Sequence, residues 1–373
     1  MTRREKRFER RKLKRLNKQR AFAKQVDDFK LICDRTRIFD AIDSAKKRVM
    51  WKASTQRWSM HQLFMTERLY RDLKAGKDVR RGFSKFYIYE RGKRRNISAV
   101  KFYERVVQKA LCQNVLYPAF VRSLIYDNGA SQQGKGTKFA ADRMVTALRR
   151  YYKRNGNNGY ALLIDFKSYF DNINHDVVKA ICCKHFKDPR VRKLCFDFID
   201  AYGDMGLGLG SETSQLFAIR YPNRIDHAVT ETNSGHKIFY GRYMDDSYII
   251  AKDKITLAKI LNKIKYWCDR LKIKLSPKKT KIVAIKNGLL WLKTKYYLTA
   301  TGKIIRKPCR ACITRERRKL KKQLRLCILG KLPYASIEQS FESWAGSHKR
   351  RNARLTVWKM RQILKGYNHG KKI

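Results

Sequence analysis

The amino-acid sequence predicts an α+β fold in which an antiparallel sheet is backed by helices. Three observations predict it. Short apolar runs at 160–166, 237–251 and 282–284 have the length and composition of strands. The aromatic, alternating segment 83–100 is typical of a hairpin. Several other segments repeat their apolar residues at helical spacing, and 373 residues with 43% hydrophobic content can bury several cores.

The N-terminal region, residues 1–80, is predicted to be a basic helical extension. Residues 1–24 are half Lys or Arg and contain neither Pro nor Gly, so a helix is feasible. From Phe29 the apolar residues recur at helical spacing, which indicates two or three helices ending at Gly76. A solvated tail is the ordinary interpretation of residues 1–24, and a nucleic-acid-bound arm is the alternative.

The next segments alternate between strand and helix patterns. Phe83–Val100 predicts a hairpin that turns at Gly92, and a helical stretch follows at 104–116. A glycine-punctuated loop at 128–136 then leads into a further helix. The remaining predictions are a strand at 160–166, one helix at 216–232, two strands within 237–251 joined at 244–246, a helix at 255–271, a strand at 282–284, and basic helices from 315 onward.

The net charge of the chain limits the kinds of partner that it is expected to bind. Lys and Arg number 88 against 31 Asp and Glu, a formal net charge of +57. Such an excess repels itself unless a polyanion neutralises it, so nucleic acid is the expected partner. An anionic membrane surface or a ribosome-like structural role is the alternative. No apolar run is long enough to span a bilayer and no apolar stretch follows the charged N-terminus, so we expect no membrane partner, no secretory signal and a cytoplasmic location.

The nine cysteines are scattered and odd in number, which is typical of reduced thiols in a cytosolic protein. Cys309 and Cys312 form a CxxC motif. A structural zinc site needs four ligands, and Cys327 and His348 do not stand at a familiar spacing from this pair. We therefore expect buried thiols here.

Three acidic residues are the candidate catalytic site. Asp245 and Asp246 interrupt an apolar, aromatic segment, where unpaired burial would be costly. An ordinary Asp-rich hairpin turn is the alternative. Asp165 lies near the end of another apolar strand, so the three carboxylates are predicted to meet at one sheet edge. Carboxylate oxygens suit Mg²⁺, and two ions about 3.5–4 Å apart would serve an in-line phosphoryl displacement.

Tyr243-Met244-Asp245-Asp246 resembles the YxDD motif of reverse transcriptases. Other segments resemble blocks of that family in the family's own order: 92–95 through 105–108 (fingers), 133–137 (the loop before the palm), 163–171 (first palm carboxylate), 208–215 (template and nucleotide loop), 275–283, and 288–297 (primer-grip-like). The resemblance implies a right-hand polymerase architecture. Its regions would be the N-terminal extension, fingers at 81–160, a palm at 161–300 and a helical basic thumb at 301–373.

The resemblance also implies catalytic and metal-binding roles. Asp165, Asp245 and Asp246 would ligate two Mg²⁺ ions, or Mn²⁺, with the carbonyl of Phe166 as an extra ligand. Lys279 would protonate the leaving pyrophosphate. Its alternative is one more surface lysine among many.

For the dNTP, the resemblance implies a set of contacts in the fingers and palm. Lys93, Arg95 and Arg105 would hold the triphosphate. Phe170 would exclude a ribose 2′-hydroxyl, with an ordinary core phenylalanine as the alternative. Further candidate contacts are Leu209, Gly210 and Gln215.

The loop around Leu209 distinguishes branches of the family. Leu209-Gly210 stands where many reverse transcriptases have Gln-Gly, and Ser214-Gln215 stands in place of Ser-Pro. This departure resembles the enzymes of bacterial diversity-generating retroelements and the abortive-infection and defence-associated reverse transcriptases.

The surplus cations lie mainly in 1–24, 315–322 and 349–372, which indicates that both ends hold RNA. The expected partners are a structured non-coding RNA as template or scaffold, the RNA–DNA duplex product and dNTPs, and an accessory protein or self-association is left open. His348 is expected to face solvent or the duplex. The candidate nucleic-acid contacts are Arg3, Arg4, Arg7, Arg10, Arg11, Lys135, Arg317, Arg318, Lys349 and Arg350.

The favoured function is RNA-directed DNA synthesis in a bacterial retroelement or antiviral defence system. A template-independent or repeat-synthesising DNA polymerase of a defence system would use the same residues. A non-catalytic RNA-binding or maturase-like protein is the third interpretation. The presence of all three acids argues against it, since a protein that only binds has no use for negative charge against phosphate.

Overall fold

The helices and strands were assigned in a computed structural model, which describes residues 3–90, 92–232 and 237–368. The helices are α1 (Arg3–Val26), α2 (Arg35–Lys46), α3 (Ala53–Met60), α4 (Gln62–Lys74), α5 (Phe102–Leu111), α6 (Tyr117–Val121), α7 (Thr137–Asn155), α8 (His175–His185), α9 (Pro189–Asp200), α10 (Glu212–Arg220), α11 (Asn223–Thr230), α12 (Lys254–Arg270), α13 (Arg310–Ile328), α14 (Tyr334–Ser347) and α15 (Arg354–Asn368). The strands are β1 (Phe83–Glu90), β2 (Lys93–Val100), β3 (Tyr160–Asp165), β4 (Phe239–Tyr243), β5 (Asp246–Ala251), β6 (Lys281–Ala284), β7 (Leu289–Trp291), β8 (Thr294–Leu298) and β9 (Ile304–Pro308).

The chain divides into two compact units, each built from three separate segments. The first unit contains Met1–Gln133, Phe166–Val229 and Lys263–Leu275, and the second contains Gly134–Asp165, Thr230–Asn262 and Ser276–Ile373. Antiparallel sheets accompanied by many helices confirm the predicted α+β fold. In the described residues, no helix is both long enough and apolar enough to cross a membrane.

The first unit is mainly helical. Asp34 is the N-cap of α2, and its side chain accepts a hydrogen bond from the backbone N–H of Arg37, which satisfies an otherwise unpaired donor. Its fully buried Ile38 belongs to the core, as do Leu69 of α4 and Val106 of α5. Strands β1 and β2 form the predicted hairpin. Its aromatic outer face, which includes Tyr87 and Tyr89, is exposed.

The single helix predicted at 216–232 is wrong, because the structure has two helices there. Helix α10 begins earlier, after Ser211, whose hydroxyl caps it by accepting from the N–H of Ser214. The break falls at Pro222, which has no N–H to continue the helical ladder. Its carbonyl instead accepts from the N–H groups of Ile225 and Asp226, which starts α11.

The second unit is built on a four-stranded antiparallel sheet with strand order β4-β5-β3-β6. The predicted strands at 160–166 and within 237–251 are confirmed by β3, β4 and β5. Side chains of α7, including Met144, Leu148 and Tyr151, pack with Tyr248 of β5 and Trp291 of β7 in one buried cluster. This cluster holds β3 and β5 side by side.

The C-terminal part of the second unit is a small sheet followed by three helices. Strands β7, β8 and β9 pair antiparallel in that order. Helices α13, α14 and α15 then share a core around Leu324, Phe341 and Met360. His348 is buried at 5% exposure beside the ring of Trp344, so the expectation that it faces solvent or a duplex is wrong.

Candidate active site

The three acidic residues of the predicted site lie on two neighbouring strands. Asp165 is the last residue of β3, and it stands opposite Asp246, the first residue of β5, in the sheet register. Asp245 lies in the turn between β4 and β5. The structure therefore brings the three acids to one edge of the sheet.

The turn that carries Asp245 depends on an arginine that the sequence analysis did not select. Met244 has a positive φ of 54°, an unfavourable conformation for a residue with a side chain. Arg242 is fully buried, and its Nη1 donates a 2.9 Å hydrogen bond to the carbonyl of Met244. The sequence did contain a signal for this residue, namely a cationic side chain inside an otherwise apolar strand. A buried cation needs a hydrogen-bond acceptor, so Arg242 could have been predicted to bind a nearby carbonyl or carboxylate.

The carboxylates are crowded. Burial raises the pKa of Asp246 to about 7, and the negative charges of Asp245 and Asp165 add to the effect. Two carboxyl groups that face each other in a partly buried site cannot both ionise at low cost. The site therefore favours a cation.

Lys279 is the cation that the structure places there. Its Nζ lies 2.6 Å from Oδ2 of the buried Asp165. Partial burial lowers the pKa of Lys279, but the hydrogen bond to Asp165 and the charges of Asp165, Asp246 and Asp245 outweigh burial, so that the pKa is raised. This side chain is therefore an ammonium group at neutral pH.

A short turn delivers Lys279 to this position. The N–H of Ser276 donates to the carbonyl of Asp165 at 2.8 Å, which fixes the start of the turn at the end of β3. The carbonyl of Ser276 accepts from the N–H groups of Lys279 and Thr280. Pro277 follows Ser276, a position in which proline's fixed φ favours a turn.

The donor set fits a divalent cation. In the part of the chain that the structure describes, no three Asp, Glu, His or Cys side chains already stand in a geometry that would hold an ion. The three carboxylates nevertheless offer hard oxygen ligands at one sheet edge, and the pKa of Asp246 is raised by burial and then by the negative charges of Asp245 and Asp165. A bound Mg²⁺ would offset that crowded negative charge. Phe166, whose carbonyl was a predicted extra ligand, belongs to the first unit, where it is buried and pairs with Leu275.

The first unit contains a cavity of about 760 Å³, which we call the first-unit cavity. Three predicted dNTP contacts, Arg105, Gly210 and Gln215, line it together. Other lining residues were not selected as contacts from the sequence: Lys52, Gln108, Lys109, Tyr117 and Gln133. Gln108 and Gln133 lie in the blocks 105–108 and 133–137 that resemble the family, whereas Lys52, Lys109 and Tyr117 lie outside those blocks.

One wall of the first-unit cavity requires a glycine. Gly210 has a φ of +116°, and a Cβ there would lie 3.3 Å from the carbonyl oxygen of Ser98. The N–H of Ser98 donates to the carbonyl of the half-buried Leu209 at 3.2 Å. The loop and strand β2 are thus joined by backbone contact. Gln215 is also held, since its Oε1 accepts from the hydroxyl of Ser131 at 3.2 Å.

The other predicted dNTP residues also lie in the first unit. Arg95 pairs with Glu90 across the hairpin at 2.7 Å. The side chain of Lys93 lies outside the described part of the structure. Phe170 is half-buried, and its ring meets that of Tyr169 edge-on at 5.8 Å. Neither Arg95 nor Phe170 lines the first-unit cavity.

The predicted nucleic-acid contacts are mostly exposed. Those on the helices α1 and α13, and those that follow α14, present their side chains to solvent: Arg3, Arg7, Arg10, Arg11, Arg317, Arg318, Lys349 and Arg350. The side chain of Arg4 lies outside the described residues. Lys135 is half-buried, with its ammonium group 5.1 Å from the centre of the Phe139 ring.

A second cavity, about 630 Å³, lies between α14 and α15, and we call it the C-terminal basic pocket. Its wall includes Trp358, which is 56% exposed. His348 positions one of its cations, since its Nε2 lies 3.1 Å from Nη1 of Arg351. The positively charged lining residues are Lys349, Arg351, Arg354 and Arg361.

Comparison with known proteins identifies the family. The family model described as reverse transcriptase (RNA-dependent DNA polymerase) matches residues 79–323. Among solved structures, an apo telomerase from Candida tropicalis, truncated from its C-terminal domain, is 17% identical with a TM-score of 0.48. That match covers 60% of this chain and 55% of the telomerase chain, so the chain spans about half the length of that protein. Curated protein sequences give no match.

The matched residues include the hairpin, most of the residues that line the first-unit cavity, the three acids and Lys279, and they make up more than half of the chain. The chain therefore belongs to the reverse transcriptase family of RNA-directed DNA polymerases, which are nucleotidyltransferases.

Proposed function

We propose that this protein copies a cognate, structured non-coding RNA into DNA by nucleotidyl transfer. The observation that carries the proposal is the position of Asp165 opposite Asp246, with Asp245 in the adjoining turn. A binding protein would be weakened by three carboxylates that face the phosphates of its ligand, whereas a polymerase needs them.

In this proposal Asp165, Asp245 and Asp246 hold two Mg²⁺ ions, with Mn²⁺ as a substitute. The bound ions would neutralise developing charge on the attacking 3′-oxygen and the leaving pyrophosphate. Lys279 is protonated at neutral pH, because its pKa is raised, and it lies beside Asp165. It can therefore donate a proton to the leaving pyrophosphate. Arg242 keeps the turn in the conformation that presents Asp245.

We assign the first-unit cavity to the nucleotide and template. Arg105 and Lys109 would supply positive charge for phosphate oxygens, and Lys52 also lines the cavity. Gly210 and Leu209 would shape the nucleotide loop, with Gln215 held by Ser131. For Phe170, exclusion of a 2′-hydroxyl remains a prediction, as do triphosphate contacts by Lys93 and Arg95.

The charge distribution supports a large RNA partner. Four exposed arginines, Arg3, Arg7, Arg10 and Arg11, lie on α1, which precedes the residues matched by the family in the sequence, and the residues of the C-terminal basic pocket follow them. Both features are additional to the polymerase core. We propose that they hold a structured RNA outside the catalytic edge, and that the protein serves a bacterial retroelement or an antiviral defence system.

The test begins with the protein purified from its host under RNA-preserving conditions. Bound RNA is sequenced, dNTPs and Mg²⁺ are added, and the DNA product is sequenced. Asp245→Asn and Asp246→Asn should each lower synthesis by roughly 1,000-fold or more, because the cation site loses charge. Asp204→Asn, which alters an exposed acid in the first unit, is the matched control and should leave synthesis unchanged.

The product decides between the competing functions. DNA complementary to the bound RNA supports the proposal. Homopolymer or repeat DNA without a complement in that RNA would support a template-independent or repeat-synthesising polymerase. RNA binding without any dNTP incorporation would instead indicate a non-catalytic RNA-binding protein.

A further inference from the structure

The CxxC motif at the start of α13 lies far along the chain from the acidic residues and has no place in the proposed reaction. We propose that Cys309 and Cys312 form a reversible dithiol–disulfide site. Their Sγ atoms lie 2.7 Å apart, and both residues are only partly buried. The expectation of buried thiols at this motif is therefore wrong.

The backbone holds the two sulfurs together. Cys309 is the N-cap of α13 and has extended backbone dihedrals, and Cys312 is the third residue of the helix. The side chain of an N-cap residue lies over the first helical turn, close to the residue at this position. The N–H of Cys309 donates to the carbonyl of Lys293 at 3.2 Å, and the N–H of Cys312 donates to the carbonyl of Cys309 at 3.0 Å. Cα atoms at this spacing lie within the range that a disulfide spans.

The surroundings favour thiol chemistry over a metal site. Among the residues that the structure describes, no third Cys, His or acidic side chain joins the pair to form a metal-binding group. The sequence has no acidic residue between Asp269 and Glu316, while Lys307 and Arg310 flank Cys309. This positive surface would attract a small anionic disulfide such as glutathione disulfide.

The exchange balances with glutathione disulfide as the oxidant. One cysteine, as thiolate, attacks a sulfur of the oxidant, forms a mixed disulfide and releases one glutathione thiolate. The second cysteine then attacks the protein sulfur of the mixed disulfide and releases the second glutathione. In total, the two cysteines lose two electrons and two protons and become a disulfide. Glutathione disulfide takes up the same two electrons and two protons and becomes two glutathione thiols. Reduced glutathione reverses both steps.

Oxidation would cross-link the first turn of α13. This turn follows β9 and begins the helix whose Leu320 and Leu324 anchor the three-helix C-terminal core. Because Arg317 and Arg318 lie on the same helix, the cross-link would act on a surface assigned to nucleic acid and leave the acidic residues covalently unchanged.

The full-length protein tests the proposal. It is equilibrated in glutathione buffers of graded oxidised-to-reduced ratio, quenched by alkylation, and mapped by peptide mass spectrometry. We expect the peptide with both cysteines to lose two hydrogens and escape alkylation at ratios that leave Cys33, a half-exposed thiol distant in sequence, alkylated. A reductant should restore alkylation completely.

Cysteine variants and the denatured protein test whether the bond joins these two cysteines and depends on the native fold. Cys309→Ser and Cys312→Ser should each convert the internal bond into a glutathione adduct on the remaining cysteine, while Cys33→Ser should change nothing at the motif. The denatured protein should need a more oxidising ratio than the native one, because only the native fold holds the sulfurs together. Two separate glutathione adducts, no bond at any ratio, or equal ratios for native and denatured protein would overturn the proposal.

Discussion

At the scale of single residues, Arg242 shows how a buried cation can serve an acidic site. Its guanidinium is fully buried in β4 and donates to the carbonyl of Met244, whose φ is positive. A buried charge is retained only where it is paired or hydrogen-bonded. The hydrogen bond therefore ties the strand interior to the turn that presents Asp245.

We expect Arg242→Met to lower the free energy of unfolding by about 1–3 kcal/mol, since the carbonyl of the half-buried Met244 loses its donor. DNA synthesis should fall at least about tenfold, because a misplaced catalytic group is costly. Urea unfolding and primer extension measure the two effects. Lys252→Met, at an exposed position in the same unit, is the control. If both variants behaved alike, Arg242 would have no positioning role.

His185 is a second residue whose charge state is set by its surroundings. Burial lowers the pKa of His185 to about 4, and the positive charges of Arg220 and Lys184 add to the effect. Arg220 donates to Nε2 of His185 at 2.9 Å, so that this nitrogen must remain unprotonated. An unfolded histidine has a pKa near 6.5, so the unfolded chain binds more protons between about pH 4 and 6.5.

Stability from His185 is therefore complete above about pH 6.5 and is lost as the pH falls toward 4. When the pH falls from 7.5 to 5.0, we expect protonation of His185 in the unfolded chain to lower the free energy of unfolding by about 1–2 kcal/mol. This value includes a reduction for the partial exposure of the side chain. The measurement compares urea unfolding of the wild type and of His185→Gln at both pH values. The variant should lose less stability on acidification, and an equal loss in the two proteins would contradict the assignment.

At the scale of elements, the strands with acidic ends were predictable because their signal is local. The apolar run at 160–166 and the paired runs within 237–251 each carry a carboxylate where the strand ends or turns. Helix boundaries were harder. Apolar residues recur at helical spacing from 216 to 232, so that one helix was predicted there. Pro222 lies inside this segment, and its missing N–H ends the first of the two observed helices.

The C-terminal basic pocket is an element-scale feature that sequence patterns do not reveal. Trp358 and Leu355 are both exposed on α15, but only Trp358 lines the pocket beside Arg354. Local spacing cannot separate these two apolar residues, because the difference lies in the packing of α14 against α15. An exposed aromatic ring among cations is suited to stacking an unpaired base.

Trp358→Ala should weaken binding of single-stranded RNA by roughly 5- to 100-fold, the effect of losing one stacking platform. Fluorescence anisotropy with a labelled oligonucleotide measures the affinity. Leu355→Ala removes a neighbouring exposed apolar residue from the same helix and should leave the affinity unchanged. Equal losses in the two variants would show that α15 contributes only general packing.

At the scale of the whole molecule, the sequence predicted the family and the α+β class, both of which are confirmed. The division into two compact units was not predicted, because each unit joins segments far apart in the chain, such as Gly134–Asp165 with Ser276–Ile373. Composition and local periodicity carry no information about such pairings. The region boundaries at 80, 160 and 300 and the individual site roles remain predictions.

The net charge of +57 also has a consequence at this scale. Each phosphate neutralised by a cation releases counterions, so that affinity for RNA falls steeply with salt. Residues 1–24 contain 12 of the 88 Lys and Arg residues and two acidic residues. Helix α1 extends past this segment to Val26, which is buried, so that deletion of 1–24 leaves the buried end in place.

Deletion of residues 1–24 should reduce the slope of log affinity against log salt by several units for the cognate RNA, and should weaken binding at least about tenfold. Synthesis on a short generic primer–template should be unchanged, because the acidic site lies in other segments of the chain. Filter binding over a salt series and primer extension measure the two effects. A slope and an affinity equal to those of the full chain would show that α1 is a solvated tail, whereas a loss of generic synthesis would show that the deletion damages the polymerase itself.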